Sequence, residues 1–172
     1  QKPGAFIDVV HYDFAITVTD ASDLIKGEAS IQFVALKDLS SVNFDLVSIN
    51  AEKKGMQVSA VRMGTTTLGF THVKNILSVK LDQKLAAGAD MTLTVSYSGI
   101  PADGLIITTN KYKHRGFYAD HWPNRAHDWL PCVDHPADKA SVDFYITAPE
   151  HYQVVANGIQ TEESSAGNGN RL

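Results

Sequence analysis

Ala29-Ser30-Ile31-Gln32-Phe33-Val34-Ala35-Leu36 sets apolar against polar side chains, the period of two that belongs to a strand with one face on a core and the other in water. Phe14-Ala15-Ile16-Thr17-Val18-Thr19, led in by Phe6, Val9 and Tyr12, carries the same alternation. Further runs rich in Val, Ile, Thr, Phe or Tyr occupy residues 42–49, 57–63, 76–81, 91–97, 104–108, 142–148 and 152–156, each bounded by Gly, Asp, Asn or Pro. Strand starts roughly ten residues apart are the spacing of an antiparallel sandwich or sheet pair. The expected fold is therefore all-β: an antiparallel β-sandwich or saddle-like sheet domain with little helix. Helical candidates are limited to a turn at 20–24 and a short one at 136–140, where Pro136 precedes Ala-Asp-Lys.

At 172 residues the chain is long enough for one domain with a sizeable core. A net charge of −4 with 20% charged residues leaves no basic stripe to neutralise phosphates, so nucleic acid is not an expected partner. No apolar run approaches the ~20 residues of a membrane-spanning helix, so no membrane span is expected. The single cysteine, Cys132, cannot close an internal disulfide. Gln1 opens on a polar segment without an initiator Met or leader, from which a processed or cut chain is expected.

One segment departs from the strand pattern. Residues 116–136, Gly-Phe-Tyr-Ala-Asp-His-Trp-Pro-Asn-Arg-Ala-His-Asp-Trp-Leu-Pro-Cys-Val-Asp-His-Pro, hold both Trp, three Pro, three His, three Asp and the only Cys. Such a stretch is costly to order unless it folds onto something, and it reads as a structured functional loop. Its histidines, with His114, invite a metal reading near Cys132. The separations of His114, His121, His127 and His135 are neither a helical i,i+4 pair nor a Cys-x-x-Cys knuckle, so no metal is expected there. Rings capping carbonyls or packed beside Trp are the expected alternative. Cys132, flanked by Pro131 and Val133, reads as a buried thiol. Asp134 before His135-Pro136 reads as an acceptor of backbone N–H groups that fixes a corner.

Ala126-His127-Asp128-Trp129-Leu130-Pro131-Cys132-Val133-Asp134-His135-Pro136 resembles the Ala-Arg-x-x-Phe-Pro-Cys-Phe-Asp-Glu-Pro signature of the N-terminal β-domain of the aminopeptidase N family of zinc metallopeptidases. Ala126 and the structural signature residues Pro131, Cys132, Asp134 and Pro136 match in register; His127 and His135 stand where the signature has Arg and Glu. The resemblance runs on through Lys139-Ala140, residues 141–148 and Pro149 to Val154-Val155-Ala156-Asn157-Gly158, which is similar to an Ala-x-Ser-Asn-Gly ending. Upstream it takes in Asp8-Val9-Val10-His11-Tyr12-Asp13 as an opening strand and Leu93-Thr94-Val95-Ser96-Tyr97-Ser98-Gly99 as the strand before the signature.

The resemblance implies a non-catalytic N-terminal domain of a larger enzyme, a peptide hydrolase that removes N-terminal residues from peptides. Residues 1–172 are then one domain, cut near 172, where 161–170 read as a flexible hairpin tip and Arg171-Leu172 as the start of another strand. Neither His-Glu-x-x-His nor Gly-x-Met-Glu-Asn occurs, so no cofactor is expected in this chain, which alone is expected to be inactive; zinc is implied for the parent enzyme. The implied partners are a peptide substrate, met through the full-length enzyme, and the catalytic domain in an intramolecular contact.

In the family a Gln or Glu before the Pro-Cys element reaches toward the substrate's α-amino group. Counting back from Pro131 places that position at Asp120 and Trp122. Asp120 can offer a carboxylate to an ammonium, or it can cap the turn into Trp122-Pro123-Asn124. Trp122 can wall a side-chain pocket or meet a cation on its face. Arg125 can brace the loop through carboxylates or face the substrate. The expected substrate-binding set is Asp120, His121, Trp122 and Arg125.

Two other classes compete: a stand-alone binding module for carbohydrate or protein, with Phe117, Tyr118, Trp122 and Trp129 as an exposed aromatic platform, and a purely structural sandwich of a large cell-surface protein. The Trp122-Pro123-Asn124-Arg125-Ala126 variant is similar to bacterial exported members, which implies a periplasmic or secreted location, with a cytoplasmic one as the alternative.

Overall fold

The computed structural model describes residues 4–172. Numbered in chain order, the strands of the large sheet run β12 (Ser165–Gly167), β13 (Asn170–Arg171), β11 (Ser141–Pro149), β1 (Ile7–Thr17), β2 (Ile25–Ala35), β8 (Asp90–Ile100), β4 (Gly55–Met63) and β5 (Thr66–Thr67). A second sheet orders β3 (Leu39–Asp45), β7 (Ile76–Leu85) and β6 (Phe70–Val73), and β9 (Leu105–Thr109) pairs with β10 (Arg115–Ala119) as a hairpin. Between the named strands every pairing is antiparallel except β1 with β11. The fold is all-β, and among the described residues its helical content is a 3-10 turn at Ala126–Asp128.

Alternation places the core. In β2, Ala29, Ile31, Phe33 and Ala35 point inward and are fully buried. They meet the inward residues of the smaller sheet, where Phe33 and Phe44 pack edge to face at 6.0 Å. Each such ring or branched chain, removed from water, contributes roughly 1.5–3 kcal/mol. In β1 the period breaks: Ile7 and Val9 point inward, then Tyr12, Phe14 and Ile16. The cause is a β-bulge between Val9 and His11, which adds one residue and exchanges the faces that follow.

Several sequence expectations change. Residues 152–156 form no strand. The edge of β11 that they would need is taken by β13, where Ala148 pairs with Arg171 and Pro149 with Asn170, and Val155 is left 85% exposed. Residues 20–24 make bends instead of a helical turn, because the Ser22 hydroxyl accepts from the Leu24 N–H at 3.4 Å. Residues 136–140 hold a single turn, closed by the Asp138 N–H on the His135 carbonyl at 3.0 Å. Strands β6 and β10 were not read from the pattern; β10 turns the first part of segment 116–136 into the arm of a hairpin.

The reassignment of 152–156 is testable by urea unfolding. Val155→Ser should change stability by less than about 0.5 kcal/mol, as at other exposed sites, whereas Phe44→Ala should cost about 3–5 kcal/mol. A loss at Val155 comparable with that at Phe44 would restore the segment to the core.

Candidate functional site

Segment 116–136 is fixed at both ends and crossed by charged contacts. Its upper part closes on the β9–β10 hairpin, where the Asp120 N–H donates to the Gly104 carbonyl at 2.8 Å. Gly104 sits at φ +75°, and a Cβ there would stand 2.0 Å from the Arg125 carbonyl oxygen, so the close approach requires glycine. Asp120 Oδ1 accepts from the Trp122 N–H at 3.2 Å, an Asx turn, and Oδ2 pairs with the Arg125 guanidinium. Arg125 also donates from Nε to the Trp122 carbonyl at 2.8 Å and approaches Asp103 at 3.4 Å.

The result is a braced polar turn. Two carboxylates around one guanidinium leave it net negative, with the Asp120 side chain 50% exposed and Trp122 79% exposed beside it. A carboxylate offers about four lone-pair positions, so two contacts leave room for an ammonium. Arg125 braces the loop through Asp120, Asp103 and the Trp122 carbonyl together.

The lower part is core. Trp129, Leu130, Pro131 and Cys132 are buried. The Trp129 indole Nε1–H donates to His121 Nε2 at 3.0 Å. Indole can only donate, so His121 is the neutral tautomer protonated on Nδ1. Burial pushes its pKa down, against the opposing pull of Asp134 and Asp120. His127 Nδ1 lies 2.5 Å from Asp134 Oδ2, which also accepts the His127 N–H at 3.2 Å.

Asp45 and Cys132 exchange both backbone hydrogen bonds, at 2.7 and 3.1 Å. The Val133 N–H donates to the Tyr12 hydroxyl at 3.0 Å, and the Asp134 N–H to the Asp45 carboxylate at 3.1 Å. Burial, and then the negative charge of Asp134, Asp45 and Asp138, pushes the Cys132 thiol well up, which leaves it an inert packed group. Burial also raises the Asp45 carboxyl, partly opposed by the bond from Asp134.

Of the four histidines weighed for metal, His121 is held by Trp129 and His127 by Asp134, His135 Nδ1 accepts from the Ala137 N–H at 3.2 Å, and His114 is exposed. Of the four aromatic residues considered as a platform, Trp129 is buried and Phe117 packs on Tyr152 at 5.5 Å, so Tyr118 and Trp122 remain exposed. Pro136 is exposed in the turn that leads to β11. Sequence reasoning missed Asp103, Gly104, Asp45 and Tyr12, whose contacts to the loop span 16 to 121 positions and leave no local signal.

Residues 9–172 match the sequence profile of the Peptidase M1 N-terminal domain. The chain belongs to that family. Among solved structures this M1 N-terminal domain is similar to an M1 zinc metallopeptidase from Deinococcus radiodurans, at 26% identity and a TM-score of 0.82. The E323A mutant from the same organism, bound to a Tyr-Ser-Ala substrate, aligns at 26% identity and a TM-score of 0.83. In each case the alignment covers 99% of this chain and 39% of the other, so the domain spans well under half of those proteins. Curated proteins give no significant sequence match.

The His121–Trp129 bond predicts a pH dependence. A histidine whose folded pKa is depressed contributes stability fully present above its unfolded pKa, about 6.5, and lost as pH falls through the folded value. Between about pH 7 and about pH 5 the urea midpoint of the native chain should therefore fall more steeply than that of His121→Phe. Parallel curves would contradict the neutral, accepting imidazole.

Proposed function

We propose that this M1 N-terminal domain walls one side of the active-site cavity of a zinc aminopeptidase, with Asp120 receiving the substrate's α-ammonium. The observation that carries the reading is the half-exposed, net-negative Asp120–Arg125–Asp103 turn beside an exposed Trp122. A carboxylate already held by two donors loses little freedom when an ammonium docks, so its charge-assisted bond is pre-organised. Trp122 supplies a flat apolar wall for the first side chain, while His121 and Arg125 act as positioning residues behind the two. A free α-amino group is the feature that separates a chain end from an internal peptide bond, so a fixed anion here favours exopeptidase action.

The zinc of such an enzyme is not held by this chain, which lacks the His-Glu-x-x-His ligand set. In this reading both zinc and the attack on the peptide bond belong to a catalytic domain packed against the 116–136 segment. The substrate-bound state of the similar Deinococcus radiodurans mutant supports a peptide as the ligand.

The test uses the full-length enzyme. Asp120→Asn keeps the turn's hydrogen-bonding shape and removes the charge; with Asp120→Ala it should lower kcat/KM by roughly 10- to 100-fold, with zinc content and folding unchanged. Trp122→Phe should mainly alter side-chain preference. If both Asp120 variants stay within about twofold while a neighbouring change abolishes activity, the anchor lies elsewhere in the loop. If no loop variant matters, the segment is scaffold only.

A further inference from the structure

We propose that His11, Asp13 and Asp143 form a three-ligand site for a divalent transition-metal ion of the zinc class, on the outer face of the large sheet and separate from the 116–136 loop. The sequence carries no metal expectation for this chain, its histidines being most closely gathered near Cys132 and there without ligand spacing. These three residues come from strands 130 positions apart and meet through the parallel pairing of β1 with β11.

The bulge between Val9 and His11 sets the faces. Beyond it Tyr12, Phe14 and Ile16 turn inward, so His11 and Asp13 turn outward. On β11 the same alternation turns Ser141 and Asp143 outward, and the register pairs His11 with Ser141 and Asp13 directly with Asp143. Like charges facing each other across a strand pair are unfavourable. Among the described residues no Lys or Arg forms an ion pair with either carboxylate; each is approached by His11 alone.

The hydrogen bonds fix how the imidazole presents itself. The Ser141 hydroxyl donates to the Val10 carbonyl at 3.2 Å and so is left to accept from His11 Nδ1, at 2.7 Å. Without a metal, Nε2–H donates to Asp13 Oδ1; an ion bound between the carboxylates takes that proton's place, with the remaining ring proton on Nδ1 donated to Ser141 and the Nε2 lone pair given to the metal. Nε2 lies 3.3 Å from Asp13 Oδ1 and 3.7 Å from Asp143 Oδ2, and the three ligand atoms all lie within 4.8 Å of one another. Ligands at about 2.0–2.2 Å from a tetrahedral zinc stand about 3.3–3.6 Å apart, so one edge already fits and small side-chain rotations close the rest.

An imidazole with two carboxylates suits zinc, cobalt or manganese better than calcium, which takes six to eight oxygens. A hydroxyl holding the far ring nitrogen is the outer-shell arrangement that orients a metal-binding histidine. The side chains are 25%, 38% and 64% exposed, so the ion would be reached from solvent and keep water in its remaining position. Joining β11 to β1, it would also tie residues 141–149 to the start of the domain.

The test titrates the chain with Zn²⁺ by calorimetry in chelator-free buffer, with Mg²⁺ and Ca²⁺ as comparison ions and thermal unfolding as a second readout. One saturable Zn²⁺ site is expected, with a rise in Tm, lost in His11→Ala and in Asp143→Asn. Ser141→Ala should weaken it by about tenfold, the effect of freeing a ligand's orientation. His114→Ala and His135→Ala, which remove exposed histidines elsewhere, should leave it unchanged. Absence of saturable Zn²⁺ binding up to about 100 µM, far above the Kd of a three-ligand site, would overturn the proposal. So would binding that survives His11→Ala and Asp143→Asn, or that disappears with His114 or His135.

Discussion

The reciprocal hydrogen bonds between Asp45 and Cys132 are the constraint on which the loop depends. Asp45 is the last residue of β3, so the bonds extend that strand's pairing into a segment that otherwise belongs to no sheet. Around them, Val133 is held by Tyr12 from the large sheet and Asp134 by the Asp45 side chain. Both layers of the sandwich therefore grip the same short run, Cys132, Val133 and Asp134. A buried peptide group left unpaired costs about 1–3 kcal/mol, so releasing the segment would forfeit several such bonds at once.

That attachment explains how an irregular stretch can present a fixed charged turn. Trp129 fills the space beneath it and, through its indole N–H, holds His121 from below. Gly104 lets the Arg125 backbone approach the hairpin, and Arg125 then draws Asp120, Asp103 and the Trp122 carbonyl together. The exposed face of the turn is polar and the supporting face apolar, the division expected of a site carried on a rigid scaffold.

The sheet architecture was legible because most strands are half-buried and therefore alternate, as in residues 29–36 and 91–97. Legibility failed where alternation alone was insufficient. Residues 152–156 carry strand-forming types but find no free edge, and β6 is too short and too exposed to show a pattern. The bulge in β1 shifts the phase in mid-strand, which a fixed period cannot follow. In the loop, composition marked the segment as structured and the family resemblance supplied Asp120 and Trp122 as candidates, with Arg125 beside them, but Asp103, Gly104 and Tyr12 are brought in only by folding. The His11, Asp13 and Asp143 group was invisible for the same reason: its members are far apart in the chain and adjacent only through strand register.

Amide hydrogen exchange at Cys132, Val133 and Asp134 tests most directly whether the loop's base is part of the core. Their N–H groups are held by Asp45, Tyr12 and the Asp45 carboxylate, and so should exchange as slowly as those of Ile31 and Leu93 in the central strands, through global unfolding. Exchange at rates typical of exposed turns, such as that of Val155, would show that the segment opens independently and would contradict the account.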